Sequence, residues 1–228
     1  MTARIARVDH GITSGTFSLD GETFDVDNNI WVVGDDTECL VIDAPHSVAG
    51  ILEVVGDRKV TAIVCTHAHD DHIRMAPALR EKVMAPILLH PDDRSLWELT
   101  HGGPDDPHGE LWDADLADGQ VLTVAGTTLQ VLHTPGHAPG AVCLYSPDLG
   151  CVFTGDTLFH GGPGATGRSF SDRPTLEASI RAKLFALPDD TVVHTGHGDV
   201  TTIAAERAQM AAEAVRGARQ PSSEGERA

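Results

Sequence analysis

Four apolar segments of this chain each run straight into a side chain able to hold a metal ion. That repetition constrains the fold more than any other feature. Ile63-Val64-Cys65-Thr66 leads into His67, and Leu129-Gln130-Val131-Leu132-His133-Thr134 leads through Pro135-Gly136 into His137. Cys151-Val152-Phe153-Thr154-Gly155 leads into Asp156, and Val192-Val193-His194-Thr195-Gly196 into His197. Short apolar, β-branched runs bounded by turn residues read as buried strands. A stiff strand that delivers one ligand just past its end suits a metal site, whose geometry tolerates little looseness.

The first junction is the richest: Thr66-His67-Ala68-His69-Asp70-Asp71-His72. His67 and His69 are two apart, so on extended backbone they point to the same side. Asp71 and His72 follow where the chain turns before Pro77 and can address a second centre. Seven candidate ligands result: His67, His69, Asp71, His72, His137, Asp156 and His197. All are nitrogen or oxygen donors, a set that suits zinc, iron or manganese and leaves a coordination position open for water. Taken singly, each has a plainer use: a lone histidine is more often a hydrogen-bonded structural residue, and Asp71 alone would cap a helix. Seven in matching strand context favour the metal. His10, His46, His90, His101, His108, His133 and His194 read as surface or packing residues. His160 follows Asp156 closely and stands as a candidate for lining the cleft.

Around these junctions the chain reads as short strands at 23–26, 29–33 and 38–42, then a helix over 48–55. A short helix starts at Pro77, a strand covers 86–90, and Pro91-Asp92-Asp93 opens another helix, where acidic residues suit the dipole. Residues 101–119 read as a loop or lid. A β-meander follows through residue 154, then a glycine-rich loop from Gly161 to Gly167. Leu176, Ile180, Leu184 and Leu187 recur at helical spacing up to Pro188. A strand at 191–195 and an alanine-rich helix at 201–215 complete one domain over residues 1–219, with 220–228 as a flexible polar tail. Two sheets covered by helices on their outer faces would use every element.

The 228 residues include 16 basic and 34 acidic side chains, for a net charge of −18. That balance argues against a nucleic-acid partner, which needs a basic face. No apolar run reaches the length of a membrane span, and the first residues lead into no long apolar segment, so a cytoplasmic protein is expected. Cys39, Cys65, Cys143 and Cys151 form no CxxC pair and read as reduced, buried thiols, not nucleophiles.

The motif His67-x-His69-x-Asp71-His72, followed at a distance by His137, Asp156 and His197, resembles that of the metallo-β-lactamase-fold hydrolases. The resemblance implies a four-layer αβ/βα sandwich with two divalent ions, zinc first and iron or manganese as alternatives. It implies one ion at His67, His69 and His137, a second at Asp71, His72 and His197, and Asp156 between them. Asp71 and Asp156 would then be the catalytic carboxylates. Two such ions lower the pKa of water from 15.7 to about 7, so a hydroxide held at neutral pH can attack a carbonyl.

Thr134-Pro135-Gly136-His137 and Thr154-Gly155-Asp156-Thr157-Leu158-Phe159 are similar to the glyoxalase II branch, hydroxyacylglutathione hydrolases acting on thioesters of small thiols. A thiolate leaves without a strong general acid. Glyoxalase II carries a further helical domain, whereas only 31 residues follow His197. Ile73-Arg74 replaces the usual Gly-Gly after the Asp-His pair. The loop Gly161-Gly162-Pro163-Gly164-Ala165-Thr166-Gly167-Arg168-Ser169 also departs from the branch. Phe159, His160 and Arg168 are expected to meet substrate; Arg168 would hold its carboxylate, and equally well it ties down its own loop. A small-molecule substrate and a homodimer are the expected partners. The runner-up is a persulfide dioxygenase with a single iron on His67, His137 and Asp156; a lactone or other ester hydrolase and a non-enzymatic metal-binding module are further alternatives.

Overall fold

A computed structural model describes residues 6–103, 105–106 and 109–219. The expected tail at 220–228 and His108 lie outside the described residues. The chain opens with a long hairpin, β1 (Arg7–Leu19) and β2 (Glu22–Gly34), followed by β3 (Glu38–Ile42) and helix α1 (Val48–Val55). Next come β4 (Lys59–Val64), the single turn α2 (Asp70–Ile73), α3 (Ala76–Val83), β5 (Ile87–Leu89), α4 (Arg94–His101) and β6 (Ala114–Asp115). These six strands form one sheet in the order β1-β2-β3-β4-β5-β6, parallel from β3 onward.

The second sheet is built from β7 (Val121–Val124), β8 (Thr127–His133), β9 (Val142–Ser146), β10 (Cys151–Gly155), β13 (Val192–Thr195) and β14 (Thr201–Thr202). Its order is β14-β13-β10-β9-β8-β7, and β10 and β13 run parallel. The small ribbon β11 (Leu158–Phe159) and β12 (Gly162–Pro163) follows β10. Helices α5 (Arg173–Ser179) and α6 (Ile203–Arg219) belong to this half.

Strand alternation sorts the side chains into three apolar layers. Ile30, Val32, Cys39 and Val41 face α1 to α4 together with Ile51, Leu79 and Trp97. Their neighbours Trp31, Val33, Leu40 and Ile42 point the other way and meet Val131, Leu144 and Phe153 of the second sheet. On that sheet's far side Cys143, Val152 and Val193 pack on Leu176, Ile180, Leu184 and Ile203. Phe153 is fully buried between the sheets, and a side chain of that kind gains about 1.5–3 kcal/mol of transfer free energy. The architecture is the expected four-layer αβ/βα sandwich.

Four elements differ from their sequence reading, the first being β2, one strand over Glu22–Gly34 where two short ones at 23–26 and 29–33 are expected. The first 22 residues supply a strand of 13 residues, most of it half-exposed. Residues 101–119 are not all loop: Ala114–Asp115 extends the first sheet, and Arg80 and Trp97 hold the segment at Glu110. The helix read through Leu187 is broken into α5 and a wide π turn, Ile180–Leu184, closed by the Phe185 N–H donating to the Ile180 carbonyl.

Candidate metal centre

The seven side chains named from the sequence converge at one end of the sandwich, where β4, β10 and β13 end side by side. His67 and His69 follow β4, Asp71 and His72 lie in α2, and Asp156 and His197 sit just past β10 and β13. Parallel pairing of β10 with β13 fixes the last two together. Gly196 makes this approach feasible, since a Cβ there would collide with Asp156 Oδ1 and His72 Cε1. At Gly155 the backbone takes φ +47°, turning the chain so that Asp156 faces the cleft.

Two donor groups form around a shared carboxylate. In the first, His69 Nδ1 lies 3.0 Å from His67 Nε2 and 2.9 Å from His137 Nε2, which is 3.5 Å from Asp156 Oδ2. In the second, His197 Nε2 is 3.3 Å from both His72 Nε2 and Asp71 Oδ2. Asp156 reaches this group too, with Oδ1 3.3 Å from His72 Nε2 and Oδ2 3.4 Å from His197 Nε2. Donor atoms 2.9–3.5 Å apart mark the edges of a tetrahedron whose centre lies about 2 Å from each corner, the distance zinc keeps from nitrogen and oxygen. Asp156 Oδ1 is buried without a hydrogen-bond partner. The residues therefore fit two divalent cations.

The outward nitrogens fix the rings. His72 Nδ1 donates to Asp43 Oδ2 at 2.8 Å, His197 Nδ1 to the Asp27 carbonyl at 2.7 Å, and His137 Nδ1 to the Ala165 carbonyl at 2.8 Å. His67 Nδ1 donates to Thr66 Oγ1, which in turn donates to Asp43 Oδ2. When unprotonated, these four rings present their other nitrogen, as a lone pair, to the centre, whereas the outer Nε2 of His69 is buried without a partner.

Charge in the site follows the same division. Burial and the neighbouring His137 push His69 down to about 3, and burial with His72 and His69 depresses His67, so both are neutral ligands. Burial opposes ionisation of Asp71 and Asp156, yet the adjacent His72 and His197 hold Asp71 at about 2 and Asp156 well below the usual carboxylate range. Burial opposes charge on His72 and His197 in turn, but the carboxylates raise both, His197 to about 10. The second group is thus a pair of ionised carboxylates that require cationic company.

A family model described as the Metallo-beta-lactamase superfamily matches residues 23–197. The chain belongs to the metallo-beta-lactamase superfamily. Among curated relatives, a probable metallo-hydrolase of Bacillus subtilis is 35% identical, across 80% of this chain and 90% of its own. A protein named hydroxyacylglutathione hydrolase GloC, of Haemophilus influenzae, is 32% identical, across 78% of this chain and 87% of its own. Among solved structures, TTHA1623 in a di-iron-bound form is 32% identical with a TM-score of 0.69, covering 86% of this chain and 98% of that one. This metallo-beta-lactamase superfamily member is a metallo-hydrolase with a histidine–aspartate metal cluster.

The cysteines stay outside that chemistry. All four are buried and unpaired; burial pushes the Cys39 and Cys143 thiols up to about 11, Cys151 to about 12, and Cys65 well above its ordinary value. His90, Asp92 and His133 form a further group of donors. Its two rings stack at 4.0 Å and 12°, so their in-plane lone pairs run side by side without converging. Phe159 sets its ring 6.1 Å from that of His197, and His160 is exposed beside it. Arg168 pairs with Glu22 at 2.8 Å and lies over Phe24, tying the glycine-rich loop to the tip of the β1–β2 hairpin.

Four contributors escape a reading by motif: Asn28, Asp43, His46 and Asp93. Asp43 had a signal, because β3 ends on it as the other strands end on their ligands. Asp93 is fully buried in the turn before α4, where it accepts the backbone N–H of Ala68 at 2.8 Å and of Gly140 at 2.5 Å. It thereby pins the loop of His67 and His69 to the loop of His137.

Proposed function

We propose that this metallo-hydrolase cleaves a thioester of a low-molecular-weight thiol, using two divalent ions, zinc first. The observation that carries this reading is that neither cavity beside His69 is lined by a free acid among the described residues. Two cavities flank His69. One of about 360 Å³ is lined by Ser18, Asp70, Arg74 and Leu96, the other of about 50 Å³ by Phe17, His137, Thr166 and Arg168. Among the described residues lining them, every charged side chain other than the ligands already has an ionic partner: Arg74 with Asp70, and Arg168 with Glu22. Cavities lined without a spare proton donor suit a leaving group that departs as a stable anion, which a thiolate does and an amine does not.

Bound at these side chains, two cations would supply Lewis acidity and lower the pKa of water. His67, His69 and His137 would hold one and Asp71, His72 and His197 the other, and Asp156 would serve both. Asp71 and Asp156, ionised at neutral pH, offset the positive charge and orient water for attack. The small pocket beside His69 and His137 takes a short acyl group, and the larger cavity takes the thiol carrier. Phe159 and His160 border the cleft at His197, and Arg168 offers its remaining N–H groups to a substrate carboxylate. The name of the Haemophilus relative supports this choice of substrate.

A panel of lactoyl and acetyl thioesters, lactones, β-lactams, phosphodiesters and persulfides tests the reading. Short-chain thioesters should turn over fastest, with no oxygen consumed. Activity confined to lactams or phosphodiesters, or oxygen uptake with a persulfide, overturns it.

A further inference from the structure

Asn28 opens the buried half of β2, only 1% exposed, and its amide faces the second donor group directly. Its Nδ2 lies 3.0 Å from Asp71 Oδ2, 3.3 Å from His72 Nε2 and 3.5 Å from His197 Nε2. No comparable amide contacts His67, His69 or His137 among the described residues. The other end of the amide is fixed as well: His46 Nε2 donates to Asn28 Oδ1 at 2.7 Å. His46 is itself held in place, because its ring packs so tightly on β1 that a Cβ at Gly15 would strike its Nδ1. An amide whose oxygen is occupied by a donor must turn its NH2 group the other way, here toward Asp71.

We infer that Asn28, oriented by His46, is a positioning residue that sets how tightly the second cation is held. The inference rests on the two-ion reading of the site. Once His72 Nε2 and His197 Nε2 direct their lone pairs to an ion, they no longer accept from Asn28. Its N–H then has one acceptor left, Asp71, and fixes that carboxylate in the orientation in which it ligates. Hydrogen-bond partners of metal ligands commonly govern affinity in this way. His46 acts one step further out, through Asn28 alone. The asymmetry distinguishes the two positions: the second ion depends on this relay and the first does not.

Zinc titrations of the full chain against a chromophoric chelator test the proposal, with circular dichroism as the check on folding. The unaltered protein should bind two zinc ions. Asn28→Ala should weaken one of them about 10–100-fold and leave the other unchanged. His46→Ala should weaken the same ion by a smaller factor, and His46→Gln, which keeps a donor, should recover most of that loss. The double variant should be no worse than Asn28→Ala alone, since His46 works through Asn28. The His46 pair carries the test even if Asn28→Ala folds poorly. Unchanged affinities in Asn28→Ala, equal weakening of both ions, or additive losses in the double variant overturn the relay while the two-ion reading stands. A single zinc bound by the unaltered protein sinks both.

Discussion

Asp156 carries more of this site than any other residue, because its two oxygens reach donors of both groups and one has no hydrogen-bond partner. Asp156→Ala removes the shared corner of both positions. Elemental analysis after dialysis should show both ions depleted, each held at least 10–100-fold more weakly, and nearly all hydrolysis lost. Retention of two ions would contradict the shared role. This carboxylate and its six candidate companions are legible in the sequence because His67, His137, Asp156 and His197 each end an apolar run and His69, Asp71 and His72 share the junction that His67 opens. Asn28 and His46 are not. Neither sits in a motif, and their importance arises from a pairing between β2 and the chain after β3 that no local pattern encodes.

At the scale of elements, Asp93 does for loops what the parallel strands do for ligands. Burial in the turn before α4 pushes its carboxyl up from 3.8 to about 7, against the pull of its two backbone N–H donors. A carboxyl with a raised folded-state pKa binds more protons in the folded protein than in the unfolded chain between those values. Its contribution to stability is therefore greatest below about pH 4 and declines as pH rises to about 7. The amide introduced by Asp93→Asn cannot titrate. The stability difference between the unaltered protein and that variant should therefore shrink across the interval and level off above it. Urea unfolding at several pH values measures this, and a constant difference would contradict it. Elements with strong burial are legible in the sequence, as with β10. The strand β1 is not, because Arg7–Leu19 includes Gly11 and Gly15 and stays largely half-exposed; it is held by pairing along all 13 of its residues with β2. The π turn is hidden because Leu176, Ile180 and Leu184 keep helical spacing in the sequence while packing tolerates a wider turn.

For the whole molecule, each of the two sheets contains parallel strands, β3 to β6 in one and β10 with β13 in the other, and the candidate ligands gather past the ends of β4, β10 and β13. Fold class and the convergence of the candidate ligands follow from the sequence because both depend on the same buried runs. The surroundings of the proposed substrate do not, since Phe17 comes from β1, the arm of the hairpin that the pattern fails to show. The chain's net charge of −18 suits cation uptake, and no described helix is long and apolar enough to cross a membrane. The central claim is that these separate strand ends grip a pair of cations. Anomalous diffraction from crystals grown with zinc tests it most directly. Two peaks should appear, one among His67, His69 and His137 and the other among Asp71, His72 and His197, with Asp156 between them. A single peak, or zinc found only elsewhere, would contradict the account.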